Sequence, residues 1–214
     1  DSEILLRLYQ RQGLDQTLPL LRGEFAFAIY DRKQDCLYLV RDRFGVKPQY
    51  WTLTPEGLVF GSELKVLFAH PAVERRFTSE GLFHQLMQTM VPGSTAFAGV
   101  YQVQPGHILK VQRRNGSLDI SDSTYWDINF PRMDERDSTR LEADHVSAVR
   151  SALLEAVELR MVADVPVGCY LSGGIDSCSI LGLASAVSQG PVKAFTIGFD
   201  DVRYDESPIA QQMA

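Results

Sequence analysis

The chain has 214 residues, 45% of them hydrophobic, enough to bury a core in one large domain or two ordinary ones. Its formal net charge of -6 argues against a general nucleic-acid or membrane-surface binder, so any polyanion must be held by local groups. No apolar run reaches membrane-spanning length and no signal peptide opens the chain.

Three cysteines, Cys36, Cys169 and Cys178, make neither a metal-ligand pair nor an even disulfide set. That points to a reducing, cytosolic setting, with all three read as small buried hydrophobes. The chain starts at Asp1 rather than Met and stops at Ala214 inside a helical pattern, so the expectation is a fragment of a longer protein.

From Asp1 to Gly13, apolar Ile4, Leu5, Leu8 and Tyr9 fall at helical spacing, and Gly13 is a natural stop. "GEFAFAIYDRKQDCLYLVRDR" then alternates, with Phe25, Phe27 and Ile29 facing one way. Leu37 and Leu39 repeat the pattern after a polar turn at Arg32 to Asp35, which predicts a β-hairpin. "QYWTL" and "GLVFGS" predict another strand pair across Pro55-Glu56-Gly57. Residues 79–90 read as a helix. "HILKVQRRNGSLDI" reads as a hairpin turning at Asn115-Gly116.

Asp127 to His145 is rich in charge and poor in apolar periodicity, which marks a linker. A helix follows, with Val146, Val149, Leu153, Ala156 and Val157 on one face. "VPVGCYL" is a short apolar run suited to a buried parallel strand. A glycine-rich knot, a helix from about Asp176 to Ser188 and a second strand in "VKAFTIGF" complete a βαβ unit. The expected architecture is therefore α+β then α/β. The divisions are residues 1–130, a linker at 131–144, and 145–214.

The knot, "LSGGIDS", carries the chemistry. Where a parallel strand passes into a helix, unpaired N–H groups and the helix dipole favour an anion. Gly173 and Gly174 let the backbone approach a phosphate, and Ser172 and Ser177 add hydroxyl donors. Asp176 makes sense there as a ligand for Mg²⁺ bridging to the phosphates. Each residue also has a plain reading: turning glycines, a capping Ser177, and Asp176 favouring the helix dipole. Six specified positions in a strand–loop–helix setting favour phosphate binding. The lysine-containing phosphate loop GxxxxGK[ST] is absent.

"LSGGIDS" resembles the pyrophosphate loop of ATP pyrophosphatases of the asparagine synthetase and GMP synthetase kind. "LRGEFAFAIYDRKQDCLYLVRDRFGVKPQYW", "FGSELKVL" and "VQPGHIL" resemble the glutaminase domain of glutamine-hydrolysing asparagine synthetase. "VADVPVGCYLSGGIDS" and "FTIGFDDVRYDES" resemble the start of its synthetase domain. The resemblance runs through essentially all 214 residues in the family's order.

It implies the end of an N-terminal-nucleophile αββα glutaminase domain, followed by the start of an adenine-nucleotide hydrolase-like parallel α/β domain. It also implies a cytoplasmic ligase of asparagine biosynthesis. Ammonia from glutamine would travel inside the protein to displace AMP from β-aspartyl-AMP, with AMP and pyrophosphate released. Glutamine, aspartate and ATP would be substrates, with Mg²⁺ as cofactor, no nucleic-acid or membrane partner, and a homodimer among the assemblies allowed.

Residue by residue, the resemblance places Asp1 on the glutamine α-ammonium, with helix capping as its plain alternative. Leu171, Ser172, Gly173, Gly174, Asp176, Ser177 and Ile197 map onto the ATP site, and Asp176 onto the metal position. Leu171 and Ile197 serve equally well as core strand residues. No catalytic residue carries over: the family's nucleophilic cysteine, carboxylate-binding arginine and Asn-Gly pair match nothing here, and Cys36 lies inside a strand without a free α-amine. Arg41, Asp42 and Arg43 read as structural ion pairs beside a turn at Gly45 and Pro48, and the four histidines as scattered non-ligands. Two alternatives stay open: a β-lactam synthetase-like enzyme adenylating another carboxylate, and a non-catalytic protein that keeps the folds.

Overall fold

Helical and strand periods separate cleanly along the chain, and the computed structural model, which describes residues 2–89, 91–135 and 139–214, follows them closely. The chain forms two compact units, Asp1–Phe130 and Pro131–Ala214.

In the first unit, helix α1 (Ser2–Gln12) stops where Gly13 takes a φ of +80° and its N–H bonds to the Tyr9 carbonyl. A short helix, α2 (Leu14–Thr17), and a 3₁₀ turn follow. Of the expected apolar stripe of α1, Leu5, Leu8 and Tyr9 are half-buried, while Ile4 is 64% exposed.

Strands β1 (Ala26–Asp31) and β2 (Cys36–Arg41) pair across a turn in which Asp35 is left-handed. Strands β3 (Tyr50–Thr54) and β4 (Gly57–Gly61) form the second pair, and a one-turn helix, α3 (Leu64–Leu67), follows. Helix α4 covers Ser79–Leu86 only, because Gln88 turns left-handed at φ +53°. Met90, the last residue of the expected helix, lies outside the described residues. After β5 (Val100–Gln102), strands β6 (His107–Arg114) and β7 (Ser117–Thr124) meet at left-handed Asn115 and Gly116. Asn-Gly suits a two-residue hairpin because both central residues need positive φ.

These strands build two antiparallel sheets, ordered β1-β2-β6-β7 and β4-β3-β5. The first sheet is apolar on both faces. Val40 and Ile108, which are register partners, pack with Leu14 and Leu18 of the helical segment and with Phe25 and Phe27. Leu39, Leu109 and Val111 turn the other way and pack with Val103 and with Trp51 and Leu58 of the second sheet. Phe25 and Phe27 therefore face the helices, while Leu37 and Leu39 face the second sheet. One helical layer and two sheets lie in succession, held by the period-two alternation of β2 and β6.

The RDR segment ties this core together, although not through the expected ion pairs. The Arg41 guanidinium, 9% exposed, donates to the carbonyls of Gly45, Lys47 and Val103 and to Gln102 Oε1 at 2.7–3.1 Å. The Asp42 carboxylate, 1% exposed, accepts from the amides of Phe44, Val46 and Lys47 at 2.9–3.2 Å. Arg43 donates to the carbonyls of Leu21 and Pro19. Gly45, at φ +63°, leaves no room for a Cβ, which would stand 2.8 Å from Pro105 Cγ.

In the second unit, helix α5 (Glu142–Arg160) begins inside the segment read as a linker, whose residues 136–138 lie outside the described residues. Strand β8 (Gly168–Tyr170), helix α6 (Ile175–Val187) and strand β9 (Lys193–Phe195) form a βαβ unit, with β8 and β9 parallel. Helix α7 (Ser207–Met213) closes the chain.

β8 is not buried on both sides, as its apolar run suggested. Cys169, Leu171 and Ala194 point into a core with Leu181 of α6 and Ala210 of α7, while Tyr170 is 83% exposed. Helices cover one face of this pair, and no described element of the unit covers the other. Similarly, only Val157 of the α5 stripe is buried; Val146, Val149 and Leu153 line an open groove against α6. Among the described residues no helix is long and apolar enough to cross a membrane.

Candidate functional site

The site forms where β8 gives way to α6. Parallel pairing continues one residue past β8: the Leu171 amide donates to the Phe195 carbonyl at 2.8 Å, and the Thr196 hydroxyl to the Leu171 carbonyl at 2.7 Å. With the Leu171 side chain buried, the next residues are launched from a fixed point. The loop then closes on itself. The Ser172 amide donates to Ser177 Oγ at 3.2 Å, the Ser177 hydroxyl donates to the Gly174 carbonyl at 3.0 Å, and the two serine oxygens stand 3.1 Å apart.

The two glycines are needed for different reasons. Gly173 has φ +80°, and a Cβ there would lie 2.9 Å from Ile209 Cγ2, so the fold itself demands glycine. Gly174, the N-cap of α6, has φ -74° and ψ 157°, and a Cβ would meet only Ser172 Oγ at 3.4 Å. Any residue could adopt that conformation, so the absent side chain there serves open space beside the loop.

No side chain caps α6, so the amides of Ile175, Asp176 and Ser177 lack intrahelical acceptors, and the helix dipole adds partial positive charge. Asp176 is exposed in the first turn, and no hydrogen bond among the described residues engages its carboxylate. One free carboxylate beside an anion cradle suits Mg²⁺, which typically takes one or two carboxylates and fills its other positions with waters and phosphate oxygens. It would not suit a cation needing an all-protein cage, and no cluster of three His, Cys, Asp or Glu exists among the described residues.

Beside the loop is a cavity of about 360 Å³. Leu171, Ser172, Ser177 and Ile197 line it; Gly173, Gly174 and Asp176 lie on the same loop but not in its wall. Its other walls are Tyr170, Phe195, Thr196, Phe199 and Glu206. Sequence reasoning missed these, although Phe195, Ile197 and Phe199 alternate at period two, a signal of one shared face. Glu206 comes from a later turn. The Asp205 carboxylate fastens that turn by accepting from the Ser207 hydroxyl at 2.6 Å and from the amides of Ser207 and Phe199. The Ser207 hydroxyl, followed by these amides, holds the Asp205 carboxyl below the usual carboxylate range.

Asp1 lies outside the described residues. The start of α1, next to it in sequence, borders a first-unit cavity of about 690 Å³ lined by Ser2, Leu5, Phe25 and Lys47, among others. Lys47 pairs there with Glu24 at 3.3 Å. Cys36 is fully buried at the start of β2, and burial pushes its thiol up, the opposite of what a nucleophile needs. His107 is bonded to Asp122 at 2.6 Å and Thr124 at 3.1 Å, a cross-strand tie rather than a ligand set.

Residues 1–126 match the family described as a glutamine amidotransferase domain, and residues 148–214 the family described as asparagine synthase. Amidase chry2 of Gibberella zeae is 38% identical over 228 residues, covering 100% of this chain and 33% of that protein. Glutamine-hydrolyzing asparagine synthetase 1 of Bacillus subtilis is 36% identical over 217 residues, covering 100% and 32%. The Homo sapiens glutamine-hydrolyzing asparagine synthetase is 28% identical over 216 residues, covering 94% and 35%. The chain spans about a third of the length of the curated relatives it matches.

Proposed function

Because the chain belongs to the glutamine amidotransferase domain family, we propose that it works within an ATP-dependent ligase that makes asparagine from aspartate with glutamine-derived ammonia. The asparagine synthase match of the second unit supports the ligase half of this reading. The observation that carries it is a cavity in which Ser172 and Ser177 of the loop join apolar Phe195, Ile197 and Phe199. A nucleotide has that character: charged phosphates at one end and a planar base at the other.

In this reading the first unit, with its helical layer and two antiparallel sheets, belongs to an N-terminal-nucleophile αββα glutaminase, and the second to an adenine-nucleotide hydrolase-like domain. Asp1 would hold the glutamine α-ammonium. The Ser172–Ser177 loop and the free α6 amides would grip the β- and γ-phosphates, while Leu171 and Ile197 meet the adenosine. Asp176 would hold Mg²⁺, which supplies charge neutralisation at the phosphates when bound. Donors placed where the leaving pyrophosphate gains charge favour attack at the α-phosphorus. A carboxylate oxygen of aspartate would attack there, giving β-aspartyl-AMP, and ammonia would then displace AMP. None of Cys36, Cys169 and Cys178 has the setting of the glutaminase nucleophile: the first is a buried strand residue and the others lie in the second unit.

A second reading keeps the adenylation and changes the acceptor. It is motivated by one observation: a relative 38% identical over the whole chain is named an amidase rather than an asparagine synthetase. The two are separated by incubating the full-length protein with MgATP, glutamine and either aspartate or a panel of other carboxylates. Asparagine formation supports the first reading. AMP released with other carboxylates and never with aspartate would replace it with the second.

A further inference from the structure

A third cavity, of about 890 Å³, lies in the first unit where α1 and α2 meet the four-stranded sheet. One row of register partners lines it, one residue from each strand: Ile29, Tyr38, Lys110 and Ser121. The next row on the same face holds Val40 and Ile108, against which Leu14 and Leu18 pack. Period-two alternation puts both rows on the helix-facing side, so the row through Lys110 is the one the helices leave open. Tyr9 of α1 and Asp15 of α2 line the cavity from the helical side, and the β1–β2 turn adds Arg32 and Lys33.

The protein leaves most of the charge in this cavity uncommitted. Half-buried Lys110 has its ammonium 5.9 Å from the centroid of the Tyr38 ring and makes no ion pair among the described residues. Arg32, Lys33 and Asp15 also make none among the described residues, and the hydroxyls of Ser121 and Ser123 have no hydrogen-bond partner there. Asp31 differs. Its carboxylate accepts from the Tyr9 hydroxyl at 2.6 Å and from the amides of Lys33 and Gln34 at 2.8 and 3.2 Å, so it needs no cation. Three cations stand against two carboxylates, a surplus of one positive charge. A monoanion balances that surplus and a polyphosphate overshoots it. The remaining lining suits an apolar body: Ile29 and Leu14, with the Tyr9 and Tyr38 rings 6.2 Å apart and edge to face.

We propose that this cavity binds a small carboxylic acid with an apolar body. Its carboxylate meets the Lys110 ammonium and the Ser121 hydroxyl, and its body rests against Ile29 and the two tyrosine rings. A few polar groups fixing one end of a ligand in an otherwise apolar pocket is the common design of small-molecule sites. Asp15 is placed to accept an ammonium if the acid is a free amino acid. Nothing in this site depends on the nucleotide reading of the second unit.

The test uses the full-length protein and calorimetry with three probes: 3-phenylpropionate, L-phenylalanine, which adds an ammonium to the same body, and inorganic phosphate. The wild type should bind at least one of the two carboxylates and prefer it to phosphate. Lys110→Met keeps an unbranched apolar stem and should weaken that binding by about tenfold or more, as expected for a bond to a charged group. The urea midpoint of the first unit should stay unchanged, and Lys110→Arg should retain most of the affinity. Tighter binding of L-phenylalanine, lost in Asp15→Asn, would identify the ligand as a free amino acid. Tighter binding of 3-phenylpropionate would identify a simple acid. Phosphate bound as tightly as either carboxylate would overturn the carboxylate assignment. No binding of either carboxylate by the wild type at millimolar concentration, or equal binding by wild type and Lys110→Met, would overturn the site.

Discussion

Replacing each loop glycine in turn separates what the fold requires from what a ligand requires. Gly173→Ala puts a Cβ at φ +80°, a left-handed conformation that costs an L residue about 1–2 kcal/mol. The same Cβ would lie 2.9 Å from Ile209 Cγ2 and 3.0 Å from Ile209 Cβ, branched atoms that cannot swing away, so α7 must shift. Overpacking of this kind costs about 1–3 kcal/mol. The sum, about 2–5 kcal/mol, should appear as a lowered urea midpoint for the second unit in the full-length protein. Gly174→Ala meets no such penalty, because φ -74° and ψ 157° are ordinary and its nearest neighbour is Ser172 Oγ at 3.4 Å. Its stability should stay within about 0.5 kcal/mol of the wild type, yet calorimetry should show MgATP affinity falling, more so for Gly174→Val. A Gly173→Ala protein as stable as the wild type would refute the strain argument. A Gly174→Val protein that binds MgATP normally would refute close approach of a phosphate to the loop.

Three further outcomes follow from the same geometry. Asp176→Asn should fold normally, since its carboxylate is exposed and has no hydrogen-bond partner among the described residues, but lose at least tenfold in affinity for MgATP while adenosine binding persists; thermal melting and calorimetry check both. Asp42→Ala strips a buried acceptor from three part-buried amides and should cost about 1–3 kcal/mol in urea unfolding of the first unit. Tyr125, whose hydroxyl donates to the Arg41 carbonyl at 2.9 Å, is pushed by burial to about 12. Its folded pKa lies above the unfolded value of about 10, so its contribution is complete below about pH 10 and is lost as pH rises towards 12. Tyr125→Phe should flatten the alkaline loss of stability between pH 10 and 12 without abolishing it, because Tyr38 is also raised to about 12 by burial.

Local signals in the sequence named the hairpins because their turns need particular residues: Asn115-Gly116 can be read without any tertiary context. The βαβ unit was equally legible, since a short apolar run, a glycine knot and a helix are all local. What escaped was whatever depends on neighbours. Whether β8 is covered on one face or two depends on what packs over Tyr170. Helix 79–90 ended early because Gln88 went left-handed, which its residue type does not announce. Gly173 and Gly174 look alike in sequence, and only Ile209 of α7, folding back from 36 residues later, makes one a structural necessity. Glu206 reached the cavity by the same long-range route, so no spacing within "LSGGIDS" could have found it.

Adenylation of a carboxylate at the Ser172–Ser177 loop is decided by the nucleotide product of the full reaction. The full-length protein is given MgATP, glutamine and aspartate labelled with ¹⁸O in its side-chain carboxylate. A loop that stabilises pyrophosphate as the leaving group predicts AMP and pyrophosphate in equal amounts, with ¹⁸O in the AMP phosphate and asparagine formed alongside. ADP and inorganic phosphate as the products, with no label in AMP, would exclude adenylation.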